Sequence, residues 1–126
     1  MTEILKLISD ELEGAGVPYE FLEWTAPISY PYFVGEYSEM ESITESGEFD
    51  KTFMLTGFSR GTTARLQLEQ MREIILELFP ANEGKIVTLS SGSVAAIFYA
   101  SAFPVPSGEA DLYKIQINLA IKQWKV

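Results

Sequence analysis

The sequence predicts a two-layer α+β domain, in which two helices pack on one face of a mostly antiparallel sheet. Two segments carry apolar residues at helical spacing, one at the N-terminus and one in the middle of the chain. The other segments are rich in β-branched and aromatic residues, and the last one alternates apolar with polar residues. The chain has 126 residues, of which 47% are hydrophobic, so we expect one domain over residues 1–126.

The N-terminal third is predicted to hold one helix and two strands. The helix covers residues 2–13 and ends at Gly14, with Pro18 preventing its continuation. A short strand is expected within residues 17–24 and a longer one over residues 32–39, where Pro31 favours a strand start or a sheet edge. The apolar face of the helix consists of Ile4, Leu5, Leu7, Ile8 and Leu12.

The middle of the chain is predicted to form a hairpin followed by a helix. Residues 49–60 alternate like a strand, and Ser46-Gly47 is a turn signal, so this strand and the preceding one are expected to pair antiparallel. The second helix opens at residues 61–63, where either threonine is suited to cap it. It extends to about Phe79, because Pro80 ends it.

Three strands are predicted in the C-terminal third, over residues 85–89, 94–102 and 113–124. Residues 103–108 between the last two contain two prolines and a glycine and are expected to form a protruding loop. The last strand alternates most regularly, so one of its faces is expected to be buried. It is also a candidate sheet edge, which a neighbouring chain would be able to extend.

The absence of cysteine and histidine narrows the chemistry. It excludes disulfides, thiolate nucleophiles, Cys/His zinc sites and Ser-His-Asp catalysis. The remaining carboxylates, lysines, tyrosines and serines form no pattern that specifies a reaction, and no glycine-rich phosphate-binding motif is present. We therefore expect no catalytic residues, no cofactor, no metal site and no enzymatic activity.

The net charge of −9 is distributed unevenly. Residues 1–50 hold 12 acidic residues and one lysine, whereas residues 51–126 hold 6 acidic and 8 basic residues. Such a balance argues against specific binding of nucleic acids or of anionic membranes. No leader segment or apolar run of spanning length is visible, so we expect a chain made in the cytoplasm and soluble there.

Six acidic residues and no basic residue lie between residues 36 and 50. Their spacing fits no EF-hand loop. An acidic hairpin tip is suited to contact a basic partner or to line a channel that must not hold DNA. A solvated flexible loop is the alternative. The acidic hairpin consists of Glu36, Glu39, Glu41, Glu45, Glu48 and Asp50.

Two further groups are candidates for partner contacts. Tyr30, Tyr32 and Tyr37 form a dense aromatic segment, and tyrosine is favoured in protein–protein interfaces. Phe103 and Val105 stand beside prolines in the predicted loop, where a stiff backbone lowers the entropic cost of docking. Burial of either group in the core is the alternative.

The order of these segments resembles the tail-terminator and tail-completion proteins of long-tailed bacteriophages, including the related head–tail joining proteins. The likeness lies in an amphipathic N-terminal helix and a Pro-Tyr strand over residues 30–37 (YPYFVGEY). A long acidic hairpin, a central helix over residues 63–79 and a final alternating strand complete it.

The resemblance implies a structural virion protein of the tail that is assembled in the host cytoplasm. Its implied partners are further copies of itself in a six-fold ring, the tail tube protein and the head connector proteins, with DNA passing through the ring. It also implies no catalytic residues. The alternative is a small acidic inhibitor or immunity-type protein that covers a basic partner, and a carboxylate-based hydrolase is a third hypothesis.

Overall fold

The computed structural model describes residues 2–40 and 48–124, and it describes residues 38–40 and 48–50 by their backbone alone. Two helices and six strands follow one another in the predicted order, so the α+β class is confirmed. The elements are α1 Thr2–Gly14, β1 Tyr19–Phe21, β2 Tyr32–Met40, β3 Glu48–Arg60, α2 Ala64–Leu78, β4 Lys85–Thr88, β5 Val94–Val105 and β6 Leu112–Trp124.

The six described strands form one sheet in the order β1-β2-β3-β6-β5-β4. All neighbouring strands pair antiparallel except β1 and β2, which are parallel. The expectation that the last strand is a sheet edge is wrong, because β6 lies in the middle, between β3 and β5. The edges of the described sheet are instead the two shortest strands, β1 and β4.

Both helices pack on one face of the sheet, which we call the inner face. Helix α1 buries Ile4, Ile8 and Leu12, and α2 buries Leu68 and Ile75. These side chains form one apolar cluster with alternate residues of β2, β3, β5 and β6. The helices have 13 and 15 residues, and no helix in the described ranges is long and apolar enough to cross a membrane.

Two glycines bring the strands of the inner face close to large aromatic rings. Phe33 pairs with Gly57 and is fully buried, and a Cβ atom at Gly57 would come within 2.3 Å of Phe33 Cε2. A Cβ atom at Gly35 would come within 2.6 Å of both the Phe53 and the Tyr19 rings. Neither position has room for a side chain, so the rings fill the space that the glycines leave open.

The prediction of a protruding loop over residues 103–108 is wrong for residues 103–105. Phe103, Pro104 and Val105 belong to β5 and pair with residues of β6. Strand β4 pairs with β5 only as far as Ile97. Proline is tolerated here because no described strand pairs with this half of β5 on the edge opposite β6. A missing N–H on that edge costs no ladder hydrogen bond. The register of β5 also shifts between Tyr99 and Ser101.

Helix α2 begins at Ala64, directly after residues 61–63, which were expected to open and cap it. Its N-cap is Thr63, but the Thr63 side chain makes no capping hydrogen bond. Gly61 adopts a φ of 103° and its N–H donates to the Asp111 carbonyl. The start of the helix is therefore held by a backbone turn that contacts the segment before β6, and not by the expected threonine cap.

Candidate interaction surfaces

The acidic hairpin is confirmed as an antiparallel pair, with Met40 opposite Asp50 in β2 and β3. Glu36 is described in full and is exposed on the sheet face away from the helices. Glu39, Glu48 and Asp50 lie in the paired strands and are described by their backbone alone, whereas Glu41 and Glu45 fall outside the described residues. The role of the acidic side chains therefore stays a prediction.

The face of the sheet that points away from the helices, which we call the outer face, carries an aromatic cluster. Tyr32 lies at its centre, with its ring centroid 4.8 Å from those of Trp24 and Phe58 and 5.7 Å from that of Tyr30. The Tyr32 and Phe58 rings are stacked with an interplanar angle of 16°. The aromatic cluster is thus Trp24, Tyr30, Tyr32 and Phe58, and it contains two of the three candidate tyrosines.

Two cations flank the aromatic cluster. The Arg60 guanidinium lies 5.8 Å from the Tyr30 ring centroid and also pairs with Glu109 at 2.8 Å. The Lys114 ammonium lies 5.3 Å from the Phe58 centroid. Cation–π contacts of this kind are weakly favourable at exposed sites. The cluster therefore combines apolar area with positive charge, although the chain as a whole is acidic.

The aromatic cluster contains a buried polar atom without a partner. Trp24 Nε1 is shielded from solvent and donates no hydrogen bond to the described residues. Burial of the Tyr32 hydroxyl, with a smaller contribution from Tyr30, raises the pKa of Tyr32. A depression of about 390 Å³ opens beside these side chains. A buried N–H without a partner costs about 1–3 kcal/mol, so Trp24 Nε1 is a donor that the described residues leave unsatisfied.

Tyr37 is separated from the other two candidate tyrosines. It pairs with Phe53 on the inner face, and its ring stacks on Phe21 with a centroid distance of 6.1 Å. Successive residues of a strand point to opposite faces, so residues 32 and 37 cannot share one. Tyr37 therefore lies on the opposite face of the sheet from Tyr32, and its role as an interface residue stays a prediction.

Phe103 and Val105 lie on the outer face rather than at the tip of a loop. Val105 pairs with Lys114, and Phe103 pairs with Gln116 and is 45% exposed. The structure thereby brings two separate sequence candidates together in one row across four strands. This row consists of Tyr32, Phe58, Lys114 and Val105.

A groove of about 620 Å³ opens between the first turns of α2, the end of β5 and the start of β6. Its floor includes Leu68, Ile115 and Pro104, the first two of which are buried. Arg65 stands at the rim, with its guanidinium 4.9 Å from the Tyr113 ring centroid. We call this the α2–β5 groove. Sequence reasoning missed it, because its walls come from segments about 40 residues apart that only the fold brings together.

Two of the described carboxyl groups, Glu20 and Glu69, have a lowered pKa. Hydrogen bonds from Thr25 lower the pKa of Glu20, and the Arg72 guanidinium lowers that of Glu69. A carboxyl group that acts as a general acid needs the opposite, a raised pKa. Among the residues whose side chains the structure describes, 2–37 and 51–124, no three acidic residues come close enough together to hold a metal ion.

Comparison with known proteins gives the fold alone. No family model matches the chain, and no curated protein matches it. Eleven chains of solved structures match it in fold. One of them superposes with a TM-score of 0.68 over 94% of this chain and 87% of its own length at 12% identity, and its name describes no activity. At this identity the likeness supports the α+β architecture and carries no function.

Proposed function

We propose that this chain is a structural assembly protein that forms a ring. Its proposed role is that of a tail-terminator or tail-completion protein at the head–tail junction of a long-tailed phage. The observation that carries the proposal is the outer face, which the helices leave open. Four rows cross β2, β3, β6 and β5 on this face, and they begin in β2 at residues 32, 34, 36 and 38. The described side chains of these rows include two charged residues, Glu36 and Lys114. Aromatic enrichment and depletion of charge are typical of the centre of a protein–protein interface.

The dimensions of the outer face suit such a contact. Strands β3 and β6 each have 13 residues, which corresponds to a length of about 40 Å. Four strands at about 4.8 Å spacing give a width of about 19 Å. The product is about 800 Å² for the whole outer face, which includes Arg60, Asp50 and Lys122 beyond the four rows. This is the area that each partner contributes to an interface of standard size.

The charge distribution supports a head-to-tail arrangement. A ring needs two different, complementary surfaces on each subunit. Residues 1–50 carry a net charge of −11 and residues 51–126 a net charge of +2. In the proposed ring the acidic part faces either a neighbouring subunit or the channel, where negative charge repels the phosphates of passing DNA.

The resemblance to tail terminators specifies which assembly protein we propose. The acidic residues of positions 1–50 also fit one alternative function. An inhibitor or immunity-type protein would use the same acidic residues to cover a basic enzyme. Such a protein remains monomeric and forms a 1:1 complex, whereas a ring subunit associates with itself.

Negative-stain electron microscopy of the purified protein separates the two. We expect closed rings of uniform diameter with a central opening, at a protein concentration of tens of micromolar. Phe103→Asp with Val105→Asp introduces two charges on the outer face and is expected to abolish the rings without unfolding the chain. Particles of monomer size for the wild type would contradict the proposal and favour the inhibitor.

A further inference from the structure

We propose that the sheet continues from one subunit into the next, with β1 of one copy pairing antiparallel with residues 102–104 of β5 in a second copy. The inference rests on the proposed function, because it supplies the head-to-tail contact that a ring requires. It is carried by the positions of two strand edges in the sheet, by the direction of their backbone groups and by the side chains beside them.

Two segments at opposite edges of the sheet lack a second neighbouring strand among the described residues. One is β1, which pairs with β2 alone. The other is the second half of β5, because β4 ends its pairing at Ile97 and the Tyr99 N–H donates to the Phe79 carbonyl. We call Tyr19–Phe21 the β1 edge and residues 102–104 the β5 edge. Strand edges of this kind are templates for pairing with another chain.

The β1 edge and the β5 edge lie on the same three rows of the sheet. Through β2, β3 and β6, these rows join Tyr19 to Pro104, Glu20 to Phe103 and Phe21 to Ala102. A ring closes by rotation about its axis. With the strands along that axis, the rotation brings the β1 edge of one subunit beside the β5 edge of the next at the same height.

The strand directions agree with this pairing. Three successive antiparallel pairings lead from β2 to β5, and β1 is parallel to β2. Strands β1 and β5 therefore run in opposite directions. Rotation preserves these directions, so the contact between subunits is antiparallel, like most of the sheet.

The backbone groups of the β1 edge are directed outward where the pairing needs them. The Leu22 N–H donates to the Gly35 carbonyl and the Phe33 N–H to the Pro18 carbonyl, so residues 18 and 22 face β2. Alternate residues of a strand bond to opposite sides. The N–H groups of Tyr19 and Phe21 therefore point away from β2.

The β5 edge offers the matching acceptors. Tyr99, Ala102 and Pro104 pair with alternate residues of β6. The Tyr99 N–H points away from β6, because it donates to the Phe79 carbonyl. The carbonyls of Ala102 and Pro104 therefore point away from β6 as well. In the joined sheet the Tyr19 N–H donates to the Pro104 carbonyl, and the Phe21 N–H donates to the Ala102 carbonyl.

The side chains at the two edges are complementary in size. Tyr19 and Phe21 contact Phe53 on the inner face, and Ala102 packs against the same apolar cluster. Pairing places the two large rings opposite two small residues, Ala102 and Pro104. Phe21, which is 36% exposed, then lies at the α2–β5 groove, whose apolar floor includes Pro104. The contact buries apolar surface and requires no charge at the groove.

A chain does not make this contact with itself. Strands β2, β3 and β6 lie between β1 and β5, and four strand spacings correspond to about 19 Å. The contact therefore joins different subunits and uses a different edge on each, as a closed ring requires. The outer faces of neighbouring subunits then form one continuous surface.

Disulfide trapping tests the register, in a chain that holds no cysteine of its own. Glu20 and Phe103 form a non-hydrogen-bonded pair in the joined sheet, for which the Cα atoms lie about 4.5 Å apart. This distance is within the range of about 4.4–6.8 Å for disulfides. After oxidation of assembled Glu20→Cys with Phe103→Cys, we expect covalent oligomers up to six times 14.1 kDa by denaturing mass spectrometry.

A second cysteine pair and a matched control accompany this variant. Phe21→Cys with Ala102→Cys places both thiols on the inner face and keeps the hydrogen bond of Thr25 to Glu20. The control, Glu20→Cys with Ala102→Cys, places the thiols on opposite faces, where they cannot be bridged. At about 10 µM protein, we expect each matched pair to cross-link about 100-fold faster than the control, because assembly gives the thiols an effective concentration in the millimolar range.

Mixing single-cysteine variants tests whether the two edges differ. Glu20→Cys mixed with Phe103→Cys is expected to give a covalent dimer of one chain of each, identified by labelling one variant with ¹⁵N. Either variant by itself is expected to remain uncross-linked at the same time point. Circular dichroism verifies that each variant is folded.

The possible failures are distinguishable. A wild-type protein that stays monomeric overturns both the ring and the edge contact. A wild-type ring in which neither matched pair cross-links faster than the control overturns the edge contact and leaves the ring standing. Phe103→Cys that cross-links by itself as fast as the mixture indicates that two β5 edges meet, which overturns their pairing with β1.

Discussion

Replacing Gly57 by alanine tests the packing of the inner face. Gly57 is buried in β3, and the added Cβ atom would lie 2.3 Å from Phe33 Cε2 and 2.6 Å from Cζ. An ordinary contact needs 3.4–4 Å, so the ring has to move by about 1 Å or more. Phe33 is fully buried in the apolar cluster, so it has no free space into which to move.

The magnitude follows from two opposing terms. Overpacking of a closely packed core costs about 1–3 kcal/mol. The φ of Gly57 is not positive, so alanine also restricts the unfolded chain and contributes about 0.4–1 kcal/mol of stability. The expected net loss is about 1–2 kcal/mol of the free energy of unfolding.

Urea denaturation followed by circular dichroism measures this loss. The control is Gly14→Ala at the end of α1, where an added Cβ atom would have no heavy atom within 4 Å and φ is not positive. The control is expected to stabilise the protein by about 0.5–1 kcal/mol.

A double-mutant cycle assigns the effect to the ring. Phe33→Leu removes Cε2 and Cζ, the two ring atoms nearest to the new methyl group. The loss caused by Gly57→Ala should therefore be smaller by about 1 kcal/mol in the Phe33→Leu background. If Gly57→Ala is as stable as the wild type, or if its cost is the same in both backgrounds, the packing argument is refuted.

Three further predictions concern titration, a buried donor and the outer face. Burial raises the pKa of Tyr19 to about 12, so its contribution to stability is present below pH 10 and is lost as the pH rises to about 12. Tyr19→Phe should therefore flatten the alkaline fall in unfolding free energy by about 2 kcal/mol, measured by denaturation between about pH 9 and 12. Trp24→Phe removes the unpartnered Nε1 donor together with part of the ring that packs on Tyr32. These opposing effects should leave the unfolding free energy of the monomer within about 1 kcal/mol of the wild type, and a larger loss would contradict their balance. Phe103→Asp with Val105→Asp should change the thermal midpoint by less than about 4 °C while abolishing self-association, and unfolding or unchanged assembly would contradict their position on the outer face.

The order of the elements and the buried faces follow from local patterns. The alternation in β6 predicts its buried residues because the side-chain period of a strand is two. The same alternation does not reveal which strands lie beside it, since pairing is decided by contacts between distant segments. Its central position was missed for this reason.

The end of β5 shows a second limit. Pro104 and Pro106 predict a loop, since proline removes a ladder donor. The structure places Pro104 in a strand, because the adjacent position in the sheet is empty among the described residues. Whether a proline breaks a strand depends on the neighbour on its N–H side, which the sequence around it does not encode.

The candidate surfaces were predictable in part. Residues 32 and 37 are an odd number of positions apart in one predicted strand. Their side chains were therefore expected on opposite faces of the sheet, and the sequence alone was sufficient to separate Tyr37 from Tyr32. The placement of Tyr32 and Val105 in one row of the sheet was not predictable, because it depends on the register of strands far apart in the sequence.

The native mass of the wild-type protein tests the central claim most directly. Light scattering over a wide range of protein concentration, at low and at high salt, gives this mass without labels or mutations. The account predicts a species near six times 14.1 kDa. A mass of 14.1 kDa under all conditions would contradict it.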